Sequence, residues 1–279
     1  MQGKGDPMQH AASASASVQV SPNAERAGTQ FLGLRFDPLM TQEILERVLA
    51  RAPLAPFAYV VTPNVDHVVR LSGATPEVVR AYRDAWLCVN DSRVLERLAD
   101  AAGLSLPAAP GSDLVAALLD DPRLDRDAPI MVVGGDEKLL DGLRARYGLT
   151  RLMHHVPEMG MRHKPEVMAQ AVAAVEASGA QVTLLAVGSP QQELLAAALA
   201  ENGRAGGVGL CIGAGLEFLV GAKKRAPGFM QRMGLEWAFR LMSEPRRLWR
   251  RYLVDGIRIF PIFIAEWSRM RVRRPEATS

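Results

Sequence analysis

The alternation of short apolar runs with longer amphipathic ones constrains this chain more than any other feature. FAYVVT at 57–62, WLCV at 86–89, IMVVG at 130–134, VTLLAV at 182–187 and VGLCI at 208–212 are almost unbroken in apolar side chains. A strand with one wet face would alternate, so such runs fit strands covered on both sides. Between them stand segments of helical length near 41–51, 65–84, 92–102, 111–119, 137–147, 165–178 and 190–201. Strand following helix following strand predicts a Rossmann-like α/β fold, a parallel sheet with helices on both faces. The expected division is a flexible leader at 1–30, this domain at 31–244, and a basic amphipathic helical appendage at 245–279.

Composition matters at the two ends. The leader is rich in Ala, Ser, Gln and Gly and has no continuous apolar stretch of the kind a secretory signal needs. Cys88 and Cys211 sit far apart inside apolar runs, which predicts two reduced core thiols and a cytoplasmic protein. The apolar stretch at 257–267 is broken by Arg258, Pro261 and Glu266. It falls well short of the ~20 residues a membrane span requires, so it is expected to lie on a bilayer at most.

Charge is strongly polarised along the chain. Residues 223–274 hold 14 Lys/Arg against 4 Asp/Glu, and the remainder 19 against 26. A basic, tryptophan-flanked end on an acidic domain points to phosphate or anionic lipid as a partner. Charge alone also admits a nucleic-acid-binding α/β module. Against it, aromatic residues are only 6% of the chain and mostly core-like, and no recognition-helix or RNA-binding sheet pattern is present.

In a parallel sheet, ligands bind beyond the carboxyl ends of the strands. Five predicted strand exits carry chemistry: Thr62-Pro63-Asn64, Asn90-Asp91-Ser92, Gly134-Gly135-Asp136, Gly188 through Glu193, and Gly213-Ala214-Gly215. These exits are expected to converge on one cleft. Asn64, Asp91 and Ser189 are equally able to cap the helices that follow them. The glycines let backbone approach a ligand, with helix N-termini directed at a phosphate. No GxGxxG or GxxxxGK[ST] string occurs, which argues against a dinucleotide oxidoreductase and a P-loop NTPase.

Taken together, TPN at 62–64, Asp91, GSDL at 111–114, GSPQQE at 188–193, KRAP at 224–227, GLEWAFRL at 234–241 and EPRRLWRRYL at 244–253 resemble the WecG/TagA/CpsF family of bacterial glycosyltransferases, over about 31–252. The resemblance implies an inverting transfer of an N-acetylmannosamine-type sugar or a hexose from a UDP donor. The implied acceptor is a saccharide on polyprenyl diphosphate, in surface polysaccharide assembly at the inner face of the cytoplasmic membrane. Inversion needs one base for the acceptor hydroxyl and donors for the departing UDP. By the resemblance, Asp91 is that base, and Thr62 and Asn64 orient the sugar or acceptor. Gly135, Asp136, Gly188, Ser189, Gln192 and Glu193 line the donor and nucleotide side. Arg246, Arg250, Arg251 and Trp249 face the membrane and acceptor.

This chain departs from the family pattern twice. Ser92 stands where a glycine usually follows the catalytic Asp, and Pro107-Ala108-Ala109-Pro110 lacks the arginine that usually precedes the GxDL string. Either Arg225 or Arg247 supplies that positive charge, or transfer is weak or directed at another donor. No cofactor or metal is expected beyond the UDP-sugar, since the only DxD string, Asp125-Arg126-Asp127, lies in a polar loop before a strand. The clustered His154, His155 and His163 are not expected to hold zinc. A catalytically silent scaffold is the remaining alternative, and leftover apolar helix faces leave room for a homo-oligomer. Removing 246–279 is expected to leave a folded core with little activity.

Overall fold

A computed structural model of the chain describes residues 28–52, 55–222 and 225–273. The leader up to residue 27 lies outside the described residues, while Thr29 and Gln30 already belong to a strand. The elements run β1 (Thr29–Phe31), β2 (Leu34–Phe36), α1 (Thr41–Leu49), β3 (Ala58–Val61), α2 (Val65–Leu71), α3 (Pro76–Arg83), β4 (Leu87–Cys88), α4 (Arg93–Ala101) and α5 (Gly111–Asp120). They continue with β5 (Ile130–Val133), α6 (Glu137–Tyr147), β6 (Leu152–His155), α7 (Pro165–Ser178), β7 (Val182–Leu185), α8 (Gln191–Asn202), β8 (Val208–Cys211) and α9 (Gly215–Leu219). The chain closes with α10 (Gly228–Arg232), α11 (Glu236–Ser243), α12 (Pro245–Arg250) and α13 (Ile259–Arg273).

Six strands form one parallel sheet in the order β4-β3-β8-β7-β5-β6. All five predicted strands are present, and every residue of β3, β5, β7 and β8 is buried. On one face the core is closed by Leu95, Ala99, Leu195 and Leu199 from α4 and α8. On the other it is closed by Ile44, Leu114, Leu118 and Leu140 from α1, α5 and α6. Helices on both faces are what unbroken apolar strands require.

The fold departs from the sequence pattern in two places. The helix expected over 65–84 is two helices, because the residue before a proline is pushed out of the α region. Thr75, ahead of Pro76, is extended at ψ 156° and starts α3 afresh. The sheet also has a sixth strand, β6, which pairs with β5 at the edge. An edge strand is wet on one side, so its sequence LMHH lacks the apolar run that marks the others.

The opposite edge is covered by side-chain mimicry of a strand. Asp37, just beyond the β1–β2 hairpin, accepts the Cys88 N–H on Oδ2 at 2.8 Å and donates its own N–H to Cys88 O at 2.7 Å. The hairpin in turn receives the C-terminal helix. Phe263 meets Phe31 edge to face at 6.2 Å, and Glu266 Oε1 accepts the Leu32 N–H at 2.8 Å. Ile259 is 1% exposed and Phe263 8%, so α13 completes the core on this face while its other face stays open.

Candidate functional site

The exits of β3, β4 and β8 meet around one carboxylate. Thr62 is buried and donates through Oγ1 to Cys211 O at 3.0 Å, which ties the end of β3 to the end of β8. Gly111 opens α5 directly against it, and a Cβ there would stand 3.1 Å from Thr62 Oγ1. Asn64 caps α2, its Oδ1 accepting from Asp66 N at 3.1 Å and His67 N at 3.4 Å. That leaves its amide Nδ2 to donate to Asp91 Oδ2 at 3.3 Å. Asp91 Oδ1 accepts the Gly111 N–H at 2.8 Å. Asn64 is therefore both a cap and a cleft residue, while Asp91 leaves the capping of α4 to Ser92 and accepts the first N–H of α5.

The loop around Asp91 is held from below. Asn90 is 1% exposed, donates to Leu106 O at 3.1 Å and accepts the Ser92 N–H at 2.8 Å. Ser92 is extended at φ −134° and caps α4 through Oγ to Leu95 N at 3.4 Å. No left-handed turn occurs here, so serine serves where a glycine was expected. Burial pushes Asp91 up to about 6, against the opposing pull of the Gly111 N–H, the Arg240 charge and the Asn64 amide. Glu236 adds to the rise. Burial raising a carboxylate while hydrogen bonds hold it back is the combination that poises a base near neutral pH.

A second group joins the exit of β7 to that of β8. Gln192 is 3% exposed and Glu193 1%. Gln192 Oε1 accepts the Gly213 N–H at 2.9 Å and its Nε2 donates to Glu193 Oε1 at 2.9 Å. Burial raises the Glu193 carboxyl, which faces Ser189 and Tyr82. The Tyr82 hydroxyl lies 3.1 Å from Ser189 Oγ. Gln192 and Glu193 thus shape the cleft floor more than they line its opening. At the exit of β5, Gly134 adopts φ +94°, and a Cβ there would come within 2.9 Å of the Ala186 carbonyl. Asp136 caps α6 by accepting the Leu139 N–H at 2.9 Å. It and Gly135 stand two strand positions from β8, with Gly188 between them on the β7 exit.

The cations divide into distinct sets. Arg225 pairs with Asp113 in the first turn of α5, so it stands beside the 107–110 segment that lacks an arginine. Arg247 pairs with Glu244 on its own helix and is 60% exposed. Arg246, Trp249 and Arg250 are exposed on α12, whereas Arg251 turns onto Asp66 of α2 at 2.9 Å. Two residues near Asp91, Glu236 and Arg240, stood in the GLEWAFRL string without being given a role. Arg240 reaches Asp91 with its charge, pairs with Glu236 at 2.9 Å and lies over the Phe218 ring at 4.7 Å. Their signal was present as an i,i+4 Glu–Arg pair, which sequence alone does not separate from an ordinary surface pair.

Among the described residues no group of three His, Cys, Asp or Glu side chains is placed to hold a metal. The Asp125-Arg126-Asp127 string turns on itself, Asp125 Oδ1 accepting the Asp127 N–H at 2.9 Å, ahead of β5 and so away from the strand exits. His154 faces Gly134 O at 3.0 Å, with His155 next to it in β6. Cys88 and Cys211 are buried free thiols. The cleft therefore gathers a poised carboxylate, amide donors and arginines at the carboxyl edge of a parallel sheet. The sequence model of the Glycosyl transferase WecG/TagA/CpsF family matches residues 29–273, which takes in every one of these groups, and the chain belongs to that family of glycosyltransferases.

Proposed function

We propose that this glycosyltransferase moves an N-acetylmannosamine-type sugar or a hexose from UDP to a saccharide on polyprenyl diphosphate, with inversion. Asp91 carries the reading: an elevated carboxylate held by Asn64 and Gly111 at the crevice of the sheet. The acceptor hydroxyl oxygen attacks the anomeric carbon as its proton passes to Asp91. The bond from that carbon to the β-phosphate oxygen breaks, and UDP leaves with the electron pair. Arg240 and Arg225 take up the charge that develops on the diphosphate, in the role the missing arginine would have filled. With cations so placed, turnover is expected to persist in a chelator.

The terminal helices bring the cleft to its substrate. Trp249, Leu253, Ile257, Phe260 and Ile264 are each 46% exposed or more and recur at helical spacing, with Arg246, Arg250 and Arg258 beside them. Such a face suits the headgroup region of an anionic leaflet, where each Lys/Arg contributes about 1 kcal/mol. No helix among the described residues is long and apolar enough to cross a membrane. The deciding experiment is a donor screen that follows UDP release with polyprenyl-diphosphate sugars, repeated with Asp91→Asn. Donor-dependent release that Asp91→Asn abolishes is expected. Wild-type turnover in that variant would remove Asp91 from the mechanism.

A further inference from the structure

A cavity of about 810 Å³ opens between the α2–α3 turn and the Ser189-Pro190 turn, on the face of the sheet covered by α8. Its polar lining is rich in donors and positive charge. Arg70 and Arg251 share the single carboxylate of Asp66, so that cluster keeps an uncompensated positive charge beside the cavity. Arg162 donates to His163 Nε2 at 2.7 Å and has no carboxylate partner among the described residues. His67 accepts the Asn64 N–H on Nδ1 at 3.0 Å, which leaves its proton on Nε2. Burial, with the Arg70 and Arg251 charges, holds it down to about 3, so it stays a neutral donor. The lining carboxylate, Glu77, is bonded to Thr75 and to its own backbone at the start of α3.

Leu71, Val78, Met168, Pro190 and Leu194 make an apolar wall, interrupted by the Tyr82 and Ser189 hydroxyls, which lie against each other. A cationic mouth beside hydrocarbon walls fits a diphosphate joined to an alkyl chain better than one joined to a nucleoside. The placement fits too. Asn64 touches Asp91 on one side and His67 on the other, and Arg70 stands six residues along α2, roughly 9 Å at 1.5 Å per residue. Asn64 and His67 thus link the carboxylate of Asp91 to the wall of this cavity.

We propose that this cavity, with Ser189 on its wall rather than on the donor side, is an anion site distinct from the donor pocket and seats the diphosphate and first prenyl carbons of the acceptor. The existence of the site stands on its lining alone, and its assignment to the acceptor rests on the transferase reading above. The test is calorimetry on the full chain with inorganic pyrophosphate and with farnesyl diphosphate, each with and without saturating UDP. Both probes are expected to bind with UDP present, farnesyl diphosphate the tighter. Arg162→Gln is expected to weaken both about tenfold, equivalent to about 1.4 kcal/mol, while Arg151→Gln, an exposed control, changes neither.

Displacement of pyrophosphate by UDP, or unaltered binding by Arg162→Gln with circular dichroism unchanged, would overturn the site. In turnover, Arg162→Gln should raise the acceptor KM and leave the donor KM alone, and the reverse pattern would overturn the assignment. Arg162-dependent binding by a chain that releases UDP with no donor and acceptor pair would leave the site standing and remove the transferase reading.

Discussion

At the scale of single residues the chemistry turns on Asp91. Its folded value of about 6 lies above the ordinary 3.8, so the ionised form is the one that folding disfavours. Stability associated with the protonated form is complete below about pH 4 and is lost as pH rises through 6. The rate has the opposite sign, since a base must be unprotonated. The pH profile of kcat/KM is therefore expected to fall on the acid side with a midpoint near 6, and Asp91→Asn should lose roughly 10²- to 10⁴-fold of the rate along with that limb. The same variant should be more stable at pH 7 by about 1–2 kcal/mol, discounted for the open side of the cleft, with the gain gone below about pH 4. Denaturant titration at pH 7 and pH 4 measures this. Asp91 was legible because it ends an apolar strand. Arg240 was not, because its approach to Asp91 depends on how α11 folds back, which no local pattern records.

At the scale of elements, apolar runs that must be covered on both faces made five of the six sheet strands readable. β6 hid because an edge strand tolerates polar residues on both faces, His154 on one and His155 on the other. The β1–β2 hairpin hid because three-residue strands carry too little pattern. Its role appears only with the Asp37 carboxylate seated on the Cys88 N–H. Asp37→Ala should strand that buried N–H and cost about 1–3 kcal/mol. Equilibrium unfolding gives the size, and faster exchange of the Cys88 amide than of the Val60 amide locates the damage at the β4 edge. If both amides exchange equally fast, the loss is global and the edge reading is wrong.

At the scale of the molecule, the C-terminal segment is less separable than a boundary at 245 implies. Leu248, Ile259 and Phe263 are buried, and Phe263 covers Phe31. Deleting 246–279 uncovers that core, and the loss of Phe263 alone is worth about 3–5 kcal/mol by comparison with other buried phenylalanines. Inactivity of the truncated chain would thus reflect lost folding as much as lost docking. Substituting Trp249, Leu253 and Ile257 together by Ser separates the two, because all three are exposed. Stability is expected to stay within about 0.5 kcal/mol per site, while sedimentation with anionic vesicles falls. Undiminished sedimentation would remove the bilayer from the account.

The grip of Glu266 on the Leu32 backbone joins the last helix to the first hairpin, and that hairpin to the strand that leads into Asp91. A surface that adhered to the outer side of α13 would fix the standoff of the carboxylate above it, as a gantry fixes a tool above a bench. An acceptor tethered to the same surface would then be sampled at one height, and the length of its saccharide would become a quantity the enzyme can gauge.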